Sequence, residues 1–173
     1  DRITNVITPT VSGTAAANAL LTLYDSDGST VLGTTTADGS GNWSITSSKL
    51  ADGPHSLQAK QSDAAGNQSV AGASLQLTVD TSVPSALNLS ASKVDATAGS
   101  NAIVGTLSSI DSPDGGSFTY ALVAGSGATD NALFSIVNGV LHINDPATAG
   151  AGEHSIRVST TDVAGNTLEK VLS

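Results

Sequence analysis

What most limits the folds open to this chain is a side-chain alternation of period two that recurs in short runs, each closed by a cluster of turn formers. Leu21 and Leu23 alternate with Thr22 and Tyr24, Trp43 and Ile45 flank Ser44, Leu57 and Ala59 alternate with Gln58 and Lys60, and Leu75, Leu77 and Val79 alternate with Gln76 and Thr78. Successive side chains of an extended strand point to opposite faces, so each run describes a half-buried antiparallel strand. Between the runs stand Asp25-Ser26-Asp27-Gly28, Asp38-Gly39-Ser40-Gly41-Asn42, Asp52-Gly53-Pro54 and Gly66-Asn67. Turn signals at this spacing predict a β-sandwich. Thr, Ser, Ala, Val, Leu and Gly dominate, with 12% charged and 3% aromatic residues, a composition suited to short strands and polar turns rather than helices. The single tryptophan, Trp43, falls within an alternating run and is expected in the core.

The same alternation resumes after an interruption. Val79-Asp80-Thr81-Ser82-Val83-Pro84 ends one pattern, because proline cannot donate to a strand ladder. Ile103, Gly105 and Leu107 then open a second pattern, followed by Phe118, Tyr120 and Leu122, by Phe134 and Ile136, by Leu141 and Ile143, and by Ile156, Val158 and Thr160. A motif spans both halves: Ser62-Asp63-Ala64-Ala65-Gly66-Asn67 returns as Thr161-Asp162-Val163-Ala164-Gly165-Asn166, the two aspartates lying 99 residues apart (162 minus 63). One domain length separates them. The expectation is therefore all-β: an immunoglobulin-like sandwich over 1–80, a short linker at 81–84, and a second sandwich over 85–173, arranged end to end.

Charge and motif content narrow the function. With 15 acidic against 6 basic residues the net charge is −9, which repels a nucleic-acid backbone and favours cations as partners. No cysteine is present, which removes disulfides and thiolate metal sites. No run of about 18 apolar residues would insert in a membrane, and an export signal and anchor are expected outside this segment. Catalytic signatures such as His-Glu-x-x-His or Gly-x-Ser-x-Gly are absent, and His55, His142 and His154 alternate with apolar residues as solvent-facing strand positions would. Enzyme activity is not expected. A glycan- or protein-binding module using loop surfaces is the alternative, with Gly125 to Asn131 as a long polar loop. Only Trp43, Tyr24 and Tyr120 could stack on a sugar, and all three are placed in strands.

Several stretches carry a family resemblance. Pro9-Thr10-Val11-Ser12-Gly13-Thr14, Leu32-Gly33-Thr34-Thr35-Thr36-Ala37-Asp38, Gly41-Asn42-Trp43-Ser44, Leu50-Ala51-Asp52-Gly53-Pro54, Asp63-Ala64-Ala65-Gly66-Asn67 and Val79-Asp80-Thr81 resemble the bacterial Ig-like repeats of giant secreted adhesins. Val104-Gly105-Thr106-Leu107, Asp111 with Pro113-Asp114, Phe118-Thr119-Tyr120, Ala132-Leu133-Phe134 and Val158 through Asp162 resemble the cadherin-like repeats of the same class. The resemblance implies tandem arrays on bacterial surfaces, of the RTX type exported through a type I channel and used in adhesion and biofilm formation, with calcium between domains. It departs from the cadherin pattern at Asp95, where glutamate is usual, and at Asn144-Asp145-Pro146, where an Asp-x-Glu pair is usual.

Calcium takes six to eight oxygen ligands and tolerates irregular loop geometry. In a sandwich of this connectivity the loop after the second strand and the loop before the last lie at one end, which is expected to bring Asp111 and Asp114 near Asp162 and Asn166. Asp80 arrives at that end from the first domain. By the same reasoning Asp25, Asp27 and Asp63, with Asp1, are expected at the opposite tip of domain one. Each of these aspartates can also be read as a plain turn former. The expected partners are Ca2+, neighbouring repeats of the same chain, and a cell-surface glycan or protein bound elsewhere in the parent. The segment itself is expected to be monomeric, extracellular and on the bacterial cell surface.

Overall fold

The computed structural model describes residues 2–63, 65–111 and 116–173. The chain divides into two compact units, Asp1–Thr81 and Ser82–Ser173. Both are built from strands in two layers, antiparallel apart from one parallel pair in the first unit, and the described residues are all-β apart from short helical turns.

In the first unit β1 (Ile3–Thr4), β7 (Leu75–Val79), β6 (Gly53–Ser62), β3 (Leu20–Tyr24) and β4 (Val31–Thr36) form a five-stranded sheet in that order. β2 (Thr10–Thr14) pairs with β5 (Asn42–Thr46) as the second layer. Leu21, Leu23, Leu32, Ile45, Leu50, Leu57 and Val79 fill the space between the layers, each fully buried aliphatic side chain contributing about 1.5–3 kcal/mol. Trp43 packs against this core from β5 and lies flat over Gly13 of β2, its cross-strand partner. A β-carbon at Gly13 would stand 2.9 Å from the indole ring, so the glycine makes the close approach of the ring possible.

Strand β3 departs from the expected half-exposed pattern. Thr22 and Tyr24 are buried along with Leu21 and Leu23, because β3 is central, between β6 and β4, and its other face is covered. The Lys60 ammonium lies 4.8 Å above the Tyr24 ring, and the Gln68 amide donates to the Tyr24 hydroxyl at 3.0 Å.

In the second unit β11 (Phe134–Val137), β12 (Val140–Ile143), β9 (Ala102–Ile110) and β8 (Ala86–Leu89) form one sheet. The other contains β10 (Thr119–Leu122), β13 (Ile156–Thr161) and β14 (Thr167–Leu172). A 3₁₀ turn at Asn131–Leu133 precedes β11, and a single helical turn, α1 (Pro146–Ala149), follows β12. Leu87, Val104, Leu107, Leu141, Ile143, Ile156 and Val158 make the core.

Two expectations fail in this unit. Ile103, placed inward by simple alternation, is 64% exposed, whereas its neighbour Val104 is buried. The β12–β9 register shifts between Leu141 and His142, and such an irregularity moves every side chain beyond it to the opposite face. His154 lies in the connection before β13, not on a strand. All three histidines are only partly exposed, and each has an oxygen partner: Asp25 and Ala51 for His55, Asn101 for His142, Gly150 for His154.

Candidate metal centre

The repeated Asp-x-x-Gly-Asn motif forms the same turn twice. In the second unit it joins β13 to β14. The Asp162 amide donates to the Asn166 carbonyl at 3.1 Å, and Asp162 Oδ1 accepts from the Gly165 and Asn166 amides at 2.7 and 2.8 Å. Oδ2 accepts from Asn166 Nδ2 at 3.0 Å. Gly165 has φ of 96°, a left-handed value that glycine adopts at little cost. In the first unit Asp63 repeats these bonds with Asn67: the amide closure at 3.1 Å, Oδ1 at 2.9 Å from the Ala65 and Asn67 amides, and Oδ2 at 2.8 Å from Asn67 Nδ2. The side chain and backbone of Asn67 hold the Asp63 carboxyl below its ordinary range. In both turns the asparagine amide supports the aspartate.

The surroundings of the two turns differ. Asp63 is exposed, whereas Asp162 is only 7% exposed. Asp111, at the end of β9, brings a carboxylate oxygen within 4.8 Å of one from Asp162. The strands produce this meeting. Two residues before each acid, Ser109 of β9 donates its hydroxyl to Thr160 Oγ1 of β13 at 2.9 Å, and Thr160 is fully buried. The tie joins the two sheets of the unit, and a step of two residues along each strand keeps the same face, so both carboxylates emerge beside it. Sequence reasoning named the aspartates and missed the hydroxyl pair. The available signal was a Ser or Thr two positions before the acid in both strands.

Asp80 closes the first unit. Its amide donates to the Thr4 carbonyl at 2.9 Å, prolonging the parallel β1–β7 pairing, and its side chain is fully buried. Asp114 and Asp1 lie outside the described residues.

The remaining candidates are engaged within their own turns. Asp27 accepts from the Ser29 and Thr30 amides at 2.9 and 2.8 Å and from the Thr30 hydroxyl at 2.6 Å, and the Thr30 hydrogen bonds hold its carboxyl far below the ordinary range. Burial pushes the Asp25 carboxyl up, but the Ser26 amide and the His55 ring outweigh it and leave it lowered. His55 Nδ1 lies 2.9 Å from Asp25 Oδ2, and its Nε2 lies 2.9 Å from the Ala51 carbonyl. Burial pushes the imidazole down, and these two acceptors more than offset it, so its pKa is raised. Among the described residues neither Asp25, Asp27 nor Asp63 belongs to a group of three acidic or histidine side chains with ligand atoms close enough to share an ion. Asp95 caps its own turn through the Thr97 amide and hydroxyl at 2.8 and 2.7 Å. Asp145 caps α1 through the Ala147 amide at 3.1 Å.

The donors at Asp111 and Asp162 are carboxylate oxygens, and the donors bonded to Asp162 are neutral amides. All-oxygen, negatively charged sets suit hard cations such as calcium, whereas zinc favours thiolate or imidazole ligands. The chemistry of the pair therefore fits the ion that the resemblance implies.

Layered sheets of this kind define an all-β, Ig-like sandwich fold. Residues 1–81 match the family model of the bacterial Ig-like domain, a domain typically found at the extracellular surface. No curated protein matches the sequence. Among solved structures, the C-terminal 282-residue fragment of intimin, in complex with the intimin-binding domain of the translocated intimin receptor, is similar with a TM-score of 0.50 at 14% identity. That match covers 95% of this chain and 56% of the intimin fragment. The human desmocollin-1 ectodomain gives 0.37 at 13% identity, covering 98% of this chain and 36% of its own. The protocadherin gammaB7 EC3-6 cis-dimer gives 0.33 at 13%, covering 99% and 45%. At 14% identity the likeness to the intimin fragment is one of fold. No helix among the described residues is long and apolar enough to cross a membrane.

Proposed function

We propose that this chain is a non-catalytic, calcium-binding extender segment of a large bacterial cell-surface adhesin of the RTX type, exported by a type I route and serving adhesion and biofilm formation. The observation that carries the reading is the approach of Asp111 and Asp162 to within 4.8 Å. Two carboxylates held this close repel, and a divalent cation between them reverses the sign of the interaction. Asp80 is the third proposed ligand, and chain connectivity supports it. The Ser85 amide donates to the Ile110 carbonyl at 2.8 Å, next to Asp111, and the five residues from Asp80 to Ser85 span at most about 17 Å. A calcium ion held by Asp80 from one unit and by Asp111 and Asp162 from the other would turn a hinged connection into a stiff one. Its binding free energy would also add to the stability of the folded state.

In this reading the partners are neighbouring repeats of the same chain, and a cell-surface glycan or protein is bound elsewhere in the parent. The segment itself is monomeric, extracellular, and inserts in no membrane. A sugar-stacking module is disfavoured because none of the five aromatic side chains is exposed. The test is a calcium titration by calorimetry with small-angle scattering in parallel, on the natural sequence and on Asp80→Ala with Asp162→Ala. Saturable binding that narrows the range of interdomain angles, and is lost in the double variant, is expected. Binding of equal strength in the double variant, or none in the natural sequence, refutes the proposal.

A further inference from the structure

Asp80 is held from both sides. On the N-terminal side its amide is fixed to the Thr4 carbonyl at 2.9 Å. On the C-terminal side Thr81 is fixed by Asp52: its amide donates to Asp52 Oδ1 at 3.1 Å, and its hydroxyl lies 2.9 Å from each Asp52 oxygen. Asp52 precedes β6, whose first residue Gly53 pairs with Val79. Continuing that antiparallel register by one step sets residue 52 opposite residue 80. A second acid opposite Asp80 would be unfavourable if both side chains pointed the same way, since like charges directly opposite repel. Asp52 instead spends its two oxygens on the two donors of Thr81.

We infer that Asp52 is a positioning residue which, through Thr81, fixes the backbone at Asp80 and so aims the Asp80 carboxylate for cation binding. The inference rests on the calcium reading above. It assigns Asp52 no contact with the ion: its carboxylate is satisfied by Thr81, and it acts as the outer partner that orients a ligand. The sequence makes the arrangement economical, because Asp52-Gly53 already forms the turn into β6 and Val79-Asp80-Thr81 already ends β7.

Four substitutions separate this role from its rivals, each measured by calcium calorimetry and by thermal melting in chelator. Asp52→Ala removes the link and Thr81→Val removes its hydroxyl half, leaving the amide bond, whereas Asp52→Asn and Thr81→Ser keep an oxygen acceptor and a hydroxyl. Loss of an outer-shell partner typically weakens metal affinity about 10-fold or more. The expected result is a loss on that order in Asp52→Ala and Thr81→Val and affinity within about twofold of natural in Asp52→Asn and Thr81→Ser. Hydrogen exchange in chelator should show a faster Thr81 amide in Asp52→Ala. If Asp52→Asn loses as much affinity as Asp52→Ala while Thr81→Val loses none, Asp52 touches the ion itself and the positioning role is wrong. Lower melting temperatures with unchanged affinity would reduce the link to a structural clasp and overturn the inference while leaving the calcium reading intact. Absence of calcium binding by the natural sequence removes both.

Discussion

Replacing Asp162 by asparagine removes its charge while nearly keeping its shape, and the structure predicts that the effect on stability changes sign with calcium. Asparagine retains an Oδ1 to accept from the Gly165 and Asn166 amides, now at 2.7 and 2.8 Å. It gives up the second oxygen, which accepts from Asn166 Nδ2 at 3.0 Å, at a cost of about 1 kcal/mol. The charge removed stands within 4.8 Å of an Asp111 oxygen. Two unit charges at that distance repel by about 0.9 kcal/mol in a water-like dielectric and about 3.5 kcal/mol at an effective constant near 20. In chelator Asp162→Asn is therefore expected to lie between unchanged and about 2.5 kcal/mol more stable than the natural sequence. At calcium about 100 times its Kd the natural sequence gains about 2.7 kcal/mol, and the variant gains nothing. For a domain of this size that increment is roughly 10–20 °C in melting temperature. Asp63→Asn is the internal control, because it alters the corresponding turn at an aspartate that, among the described residues, belongs to no group of three such ligands, and it should keep the whole calcium increment. Differential scanning calorimetry of the three proteins, with calcium and with chelator, decides the matter. Retention of the increment by Asp162→Asn, or its equal loss in Asp63→Asn, would refute the reasoning.

Three further outcomes follow from the packing and the titratable groups. Gly105→Ala in β9 should destabilise the second unit by about 2–3 kcal/mol, since its β-carbon would fall 2.6 and 2.8 Å from the backbone O and N of Ala91; an unchanged melt would contradict the geometry. Gly13→Ala should push the indole off β2 and red-shift the emission of the only tryptophan, and unshifted fluorescence would show that the ring has room. His55, whose pKa is raised above 6.5, contributes stability that is full below pH 6.5 and is lost as pH rises through its folded value. His55→Gln should therefore cost most at pH 6 and least at pH 9 in paired melts, and a cost independent of pH would rule out the imidazolium pair with Asp25.

The strands were legible because they obey period two and end at Asp-Gly, Gly-Asn or proline signals that act locally. What alternation could not show were the places where the sheet overrides it. Thr22 and Tyr24 read as an outer face, yet a central strand covered on that side by Lys60 and Gln68 has no outer face. Ile103 read as core, and the irregular register opposite Leu141 and His142 turned it outward. His55 read as a solvent-facing residue, and only the fold shows that Asp25 and Ala51 flank both of its ring nitrogens. Each miss depends on a neighbour remote in sequence, 39 residues away (142 minus 103) for Ile103 and its partner His142, and no local pattern reports such a neighbour.

The candidate site shows the same division more sharply. Asp63 and Asp162 share a motif, and the structure gives them the same hydrogen bonds to the turn asparagine, so turn chemistry accounts for both aspartates and does little to distinguish them. A reading that stops at the motif must assign them one role. The difference arises a layer higher, where β9 ends against β13, the Ser109–Thr160 bond joins the two sheets, and Asp111 is delivered to one turn while, among the described residues, Asp63 belongs to no group of three such ligands. The turn asparagine donates its side-chain amide to the aspartate in both cases and so orients the carboxylate. An aspartate that closes a turn still has oxygen lone pairs to offer; a second carboxylate brought by a distant strand is what makes offering them to calcium favourable. The discriminating chemistry therefore lies in the pairing of two strand ends, and substitutions at Ser109 or Thr160 should alter cation binding without touching a single ligand.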